Sequence, residues 1–170
     1  MANLLVAVGG TGQHVALAVS RLVFLGALPE TEVAVIDADN DGELSRLLKS
    51  FNETVVAERT SHPLANGDVI YPPFKDMHGD PQFHQLFLSQ NPGPPEQAVF
   101  EVCVDVASAG LSVKKGMFGR PAVGASIFAA NQETQLKEVF RKAEQATMIF
   151  ITGSMVGGTG AGIIHQLVDS

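Results

Sequence analysis

The N-terminal part of the chain alternates short apolar runs with segments of helical spacing. The run Asn3–Val8 is short and rich in Leu and Val, which predicts a buried strand. It leads into a Gly-rich segment, Gly9–His14, and a helix is then predicted from the spacing of the following residues: Val15, Ala18, Val19, Leu22, Val23 and Gly26.

A second unit of the same kind follows. Glu32–Ile36 predicts another buried strand, which ends at the acidic cluster Asp37–Gly42. Beyond it, one apolar helix face is predicted from Leu44, Leu47, Leu48 and Phe51. Strand, helix, strand, helix is the order of an α/β fold, so we expect a Rossmann-like parallel sheet flanked by helices. The acidic cluster then lies at the carboxyl edge, where ligands bind in such sheets.

Residues 54–95 have a different character, because they hold most of the Pro and show no sustained period. We interpret them as an irregular excursion within a single domain that covers residues 1–170. An amphipathic helix is predicted from Glu96 to about Ala109, and Cys103 beside its apolar face is expected to be a small core residue.

The last part of the chain returns to the alternating pattern. A helix is predicted with one face formed by Leu136, Val139, Phe140 and Ala143. The apolar run Met148–Thr152 then predicts a strand, and it is followed by Gly153–Gly162, which contains five Gly, and by the apolar start of a helix.

Both Gly-rich segments follow a strand and precede a helix. Without a Cβ, successive Gly backbone N–H groups can turn toward one anion, and the following helix adds its positive N-terminal end. We therefore predict a phosphate site formed by Gly9, Gly10, Thr11, Gly12, Gln13, Gly157, Gly158, Thr159, Gly160, Ala161 and Gly162.

Bulk properties narrow the class of protein further. The 170 residues carry a net charge of −7, which argues against nucleic acid as a partner but not against a nucleotide held by backbone donors. The single Cys cannot form an internal disulfide, and neither a signal peptide nor an apolar run long enough for a membrane span is present. We expect a cytoplasmic protein with no membrane partner.

The second Gly-rich segment carries a resemblance to a known family. Gly157–Gly162 reads Gly-Gly-Thr-Gly-Ala-Gly and resembles the tubulin/FtsZ signature Gly-Gly-Thr-Gly-(Ser/Ala/Thr)-Gly, and Phe150–Thr152 with Met155 resembles the same stretch of FtsZ. The first segment repeats Gly-Gly-Thr-Gly, with Gln13 where the family usually has Asn. The resemblance covers residues 3–51 and 114–168. It implies a tubulin/FtsZ-type GTPase domain that binds GTP or GDP and self-associates into filaments in the full-length protein.

Further nucleotide contacts follow from the same resemblance. Pro121–Gly124 is similar to the end of the third nucleotide loop in FtsZ, so Gly119 and Arg120 are possible contacts. The planar guanidinium of Arg120 suits phosphate oxygens. Met117-Phe118 stands where the family has small residues. His14, next to the first loop, is another possible contact.

The acidic cluster offers a possible magnesium site. Asp37 or Asp39 could contact the nucleotide or hold Mg²⁺ through water, since this ion keeps waters and relies on substrate phosphates. A plain helix N-cap is an equally open interpretation of Asp39.

Proteins of this family continue beyond the signature loop, into elements that hold the base and supply an activating acidic loop. We therefore expect a truncated N-terminal part of the fold or a reduced homologue, with GTPase activity only in a full-length, polymerised form and catalytic residues unknown. Two alternatives stay open. One is an NAD-binding Rossmann domain, in which Asp37 would accept a hydrogen bond from a ribose. Val15 then stands in place of the third Gly of the motif Gly-x-Gly-x-x-Gly. The other is a non-catalytic assembly module that has lost its nucleotide.

Overall fold

The computed structural model of the chain describes residues 2–37, 42–58, 119–131 and 136–169, with isolated residues at 93–95, 98 and 110. The elements in these ranges are β1 (Asn3–Val8), α1 (Gly9–Phe24), β2 (Thr31–Ile36), α2 (Glu43–Glu58), α3 (Pro121–Asn131), α4 (Lys137–Gln145), β3 (Ile149–Gly153) and α5 (Gly158–Val168). Asp39, Met117-Phe118 and most of the predicted helix at 96–109 lie outside the described residues.

The three strands form one parallel sheet in the order β2-β1-β3. In the register of β1, Val6 lies opposite Ala34 of β2 and Ile151 of β3. The sheet is flanked by helices, which confirms the predicted α/β class. Because β1 and β3 are parallel neighbours, with Val8 opposite Gly153, the segments that follow them leave the sheet at the same edge.

The continuous apolar runs of β1 and β2 are explained by burial on both faces of the sheet. Odd-numbered residues of these strands, such as Leu5 and Val33, pack with Leu17 and Leu48 of α1 and α2. Even-numbered residues, such as Val6, pack on the opposite face against residues of α3, α4 and α5. The domain therefore has three layers, with α1 and α2 on one side and α3, α4 and α5 on the other.

The helix faces are only partly as predicted. In α4 and the residue before it, Leu136 and Val139 are buried as expected. In α1, however, Leu22 is 42% exposed, and the buried face consists of Gln13, Ala16, Leu17, Ser20 and Val23 together with two Gly at the helix start. This face has ideal helical spacing, but two of its members are polar, so a search for apolar residues alone misses it.

The first residues of the segment predicted to be irregular, 54–95, are helical. Helix α2 continues to Glu58, so its last turn includes the first residues assigned to the excursion. Residues 59–92 lie outside the described residues.

Candidate functional site

The carboxyl edge of the sheet is the natural place for a ligand. From β1 the chain crosses through α1 to β2 on one side, whereas β3 pairs with β1 on the other side. The crevice between the ends of β1 and β3 is thus a topological switch point, where open α/β sheets bind ligands. Both Gly-rich segments predicted from the sequence lie at this point.

The first turns of α1 and α5 meet above this crevice. Gly9 has a φ of +70°, so the chain turns sharply out of β1 and enters the helix at once. A Cβ built on Gly9 would lie 3.3 Å from the Cβ of Thr159 and 3.4 Å from the backbone nitrogen of Gly160. The structure therefore brings the two predicted segments into direct contact at the helix starts.

Neither of these helix starts has a side-chain cap. The N-cap positions are Val8 for α1 and Gly157 for α5, neither makes a side-chain cap hydrogen bond, and no acidic residue occupies either first turn. The first N–H groups of a helix have no partner within the helix, and the macrodipole places partial positive charge there. Two such ends side by side form an edge that attracts an anion.

The Gly-rich segments form shorter loops than the sequence indicated. Helix α1 begins at Gly9 itself, and the turn between β3 and α5 covers only residues 154–157. A Cβ on Gly12 would lie 2.7 Å from the carbonyl carbon of Ala7, so Gly12 lets the helix pack tightly on the strand. Within the first turn of α1, Gly10 and Thr11 are the exposed residues, and His14 is exposed in the next turn.

The glycines of α5 are likewise used for packing. A Cβ on Gly160 would collide with the backbone of Ser154, and a Cβ on Gly162 would collide with the carbonyl oxygen of Pro121. Several of the predicted phosphate-binding glycines thus set how closely neighbouring backbones approach. Such packing also fixes the position of the first turn of α5.

The segment expected to end a third nucleotide loop is the start of α3. Pro121 occupies the first position of the helix, where its missing N–H costs nothing. A Cβ on Gly124 would collide with the carbonyl oxygen of Gly158, so the first turns of α3 and α5 are in contact. Gly119, with a φ of +70°, is exposed, and the backbone carbonyl oxygen of the half-buried Arg120 accepts a 3.3 Å hydrogen bond from the N–H of Gly124. Because Pro121 lies against Gly162, Arg120 lies closer to the second turn of α5 than to its first.

A buried polar network lies beneath the same edge. The Gln13 side chain donates from Nε2 to Oδ2 of Asp37 over 2.6 Å and accepts at Oε1 from the hydroxyl of Ser45 over 2.9 Å. Gln13, Asp37 and Ser45 are 2%, 4% and 1% exposed. The sequence had suggested Gln13 and Asp37 as nucleotide contacts and had missed Ser45. The sequence signal that could have identified Ser45 is its position one helical turn before Leu48, which is buried.

The described residues contain no group of three His, Cys, Asp or Glu side chains that could hold a metal ion. Asp39, the other residue suggested for Mg²⁺, falls in residues 38–41, outside the described ranges.

A pocket of about 410 Å³ lies elsewhere, between β3, α4 and α5. Its lining is mainly apolar and includes Phe140, Ile151 and Leu167. Leu167 is at the C-terminal end of α5, on the order of 15 Å along the helix from the candidate site at a rise of about 1.5 Å per residue. The pocket is therefore separate from the candidate site.

No protein-family model matches this chain, and neither curated proteins nor solved structures gave a match. In the part of the chain that the structure describes, no helix is both long enough and apolar enough to cross a membrane.

Proposed function

We propose that this chain is a guanine-nucleotide-binding domain of the tubulin/FtsZ type, which holds the phosphates of GTP or GDP between the first turns of α1 and α5. The observation that carries the proposal is the contact of two uncapped helix starts, Gly9 with Thr159 and Gly160, at the switch point of the sheet. The choice of guanine, and filament formation by the full-length protein in the cytoplasm, rest on the resemblance of Gly157–Gly162 to the family signature.

Backbone donors suit this acidic chain. With a net charge of −7, the protein has no general attraction for anions, so a phosphate must be held by local partial charges. Unpaired N–H groups and two helix dipoles supply them without a Lys or Arg. Arg120 precedes Pro121, which lies against Gly162 in the second turn of α5, so its side chain would have to extend toward the helix start to add a full charge to the edge. Mg²⁺ carried by the phosphates would keep most of its waters, and of the two residues suggested for it Asp39 stays the candidate, since Asp37 is buried and bonded to Gln13.

The Asp37 contact argues against the NAD-binding alternative. In dinucleotide-binding domains a carboxylate after the second strand accepts hydrogen bonds from a ribose. Here Asp37 occupies that position, but it is 4% exposed and already accepts from Gln13. The assembly module without nucleotide is the outcome expected if purified protein binds neither phosphate nor nucleotide.

A charge placed in the first turn of α1 tests the proposal. Thr11 is exposed there, and Thr11→Glu would set a carboxylate beside the bound phosphates, whereas Thr11→Gln has similar size without the charge. Two like charges about 5 Å apart repel by about 3 kcal/mol at an effective dielectric constant near 20. We expect Thr11→Glu to weaken GTP binding at least about tenfold in isothermal titration, and Thr11→Gln to bind severalfold more tightly than Thr11→Glu.

Thr11→Glu is expected to raise the free energy of unfolding although it weakens GTP binding. An acidic residue near a helix N-terminus stabilises the helix by about 0.3–1 kcal/mol, so lost binding cannot be ascribed to unfolding. Equal GTP affinity in Thr11→Glu and Thr11→Gln would refute the site.

A bulky residue at the start of α5 is a second test. Gly158→Val is expected to weaken GTP binding strongly by blocking backbone approach. Ala18→Val, at an exposed position of α1, is the control. Circular dichroism must show that both variants are folded, because Gly158 also packs on Gly124 and its substitution could disturb the fold.

The identity of the nucleotide is tested separately. Chromatography of the nucleotide released from purified protein distinguishes GTP or GDP from NAD.

A further inference from the structure

The buried network of Gln13, Asp37 and Ser45 joins three elements at the carboxyl edge. Gln13 is in α1, Asp37 follows the last residue of β2, and Ser45 is in the first turn of α2. All three side chains are more than nine-tenths buried. A buried polar side chain is tolerated only when it is hydrogen-bonded, and these bonds satisfy both the donor and the acceptor group of the Gln13 side chain.

Gln13 has the functional groups that this central position requires. Its carboxamide donates to a carboxylate on one side and accepts from a hydroxyl on the other. The bond to Asp37 is short, at 2.6 Å, as expected for a charge-assisted hydrogen bond. An apolar side chain of the same length would fill the space but would leave the Asp37 carboxylate and the Ser45 hydroxyl without these bonds.

The network also lies directly behind the candidate site. Gln13 follows Gly12, whose backbone packs against Ala7 of β1 and the carbonyl oxygen of Thr152 of β3. The buried face of α1, with Leu17 and Val23, already limits rotation of the helix about its axis. The hydrogen bonds of Gln13 to Asp37 after β2 and to Ser45 of α2 add a directional restraint at the start of the helix.

We propose that Gln13 is a positioning residue that sets the orientation of the first turns of α1, and that Asp37 acts through Gln13 rather than on the ligand. The consequence for ligand binding rests on the proposed phosphate site, whereas the orientation of α1 can be measured without any ligand. In this assignment Asp37 holds Gln13, and Gln13 in turn holds α1, whose first N–H groups face the phosphate.

The first experiment is hydrogen exchange on the ligand-free 170-residue chain. Gln13→Met keeps the length of the side chain and removes both bonds. Val23→Ala truncates a buried residue near the other end of α1 and serves as the matched control. After normalisation to the global stability of each variant, we expect the amides of residues 13–17 to exchange about tenfold faster in Gln13→Met than in the control. Equal exchange in the two variants would overturn the positioning role.

The second experiment measures GTP affinity. Gln13→Met is expected to bind GTP about tenfold more weakly than Val23→Ala, because the donors are no longer held in place. Asp37→Asn is expected to change GTP affinity by the same factor in Mg²⁺ and in EDTA. A loss seen only with Mg²⁺ would make Asp37 a metal ligand and overturn the assignment. If the wild-type chain binds no GTP, the proposed function fails, and the exchange result still decides the role of Gln13.

Discussion

Two glycines in the same turn of α1 are expected to respond oppositely to the same substitution. A Cβ on Gly10 would have no heavy atom within 4 Å, whereas a Cβ on Gly12 would lie 2.7 Å from the carbonyl carbon of Ala7 and 3.1 Å from the carbonyl oxygen of Thr152. Gly10→Ala and Gly12→Ala therefore add one methyl group to open space in one case and to backbone contact in the other.

The magnitude follows from two opposing effects. Ala in place of Gly inside a helix gains up to about 1 kcal/mol. Overpacking costs about 1–3 kcal/mol, and the upper part of that range applies at Gly12 because backbone atoms of β1 and β3 cannot rotate away. We expect Gly10→Ala to be neutral or to gain up to about 1 kcal/mol, and Gly12→Ala to lose about 2 kcal/mol.

Equilibrium unfolding in urea, followed by circular dichroism, measures this difference. With a slope of about 1–3 kcal/mol per molar, the two midpoints should differ by about 1 M or more. Coincident midpoints with equal slopes would refute the conclusion that Gly12 sets the approach of α1 to the sheet. The GTP affinity of Gly12→Ala, measured in parallel, shows whether the shift of α1 reaches the candidate site.

Other contacts give further expectations. Lys142, 8% exposed, lies 3.2 Å from Glu32, so Glu32→Gln is expected to lower the free energy of unfolding in urea by about 1 kcal/mol, because it takes this carboxylate away from a buried ammonium group. Lys142→Met is expected to cost less, because the Glu32 side chain is 35% exposed and water can solvate its carboxylate. Gln166 donates to the carbonyl oxygens of Ala125 and Gly162, so Gln166→Leu should lower the thermal midpoint, with a free-energy loss of about 1 kcal/mol. The 170-residue chain should show very slow GTP turnover or none in a phosphate-release assay, and rapid, concentration-independent turnover would contradict the expectation, drawn from the tubulin/FtsZ resemblance, that GTPase activity needs a polymerised form.

The strands of the sheet could be predicted because each is marked by a short apolar run of consecutive residues. Asn3–Val8, Glu32–Ile36 and Met148–Thr152 are short apolar runs, and the structure places strands at all three. The start of α3 was missed although Pro121 is a typical first helical residue, since the family resemblance assigned the segment to a loop.

The helix starts at Gly-rich segments could not be predicted in the same way. Glycine usually indicates a loop, but Gly12 and Gly160 lie within helices, and glycine is required there because neighbouring backbones leave no room for a Cβ. That requirement becomes visible only when strand and helix are packed together. The partners of Gln13 are 24 and 32 residues away in sequence, at Asp37 and Ser45, so no local pattern reveals them.

The uncapped starts of α1 and α5 have a consequence for the ligand-free protein. A Ser, Thr, Asp or Asn at an N-cap stabilises a helix by about 1 kcal/mol relative to a residue such as Val8, and by about a few tenths of that relative to Gly157. An anion bound at this edge would supply hydrogen-bond acceptors that neither N-cap side chain provides. By mass action, a phosphate ligand that binds only the folded chain would raise the free energy of unfolding by about 2.7 kcal/mol at a concentration a hundred times its dissociation constant. The melting temperature, and with it the survival of the chain against proteolysis, would follow the nucleotide concentration around it.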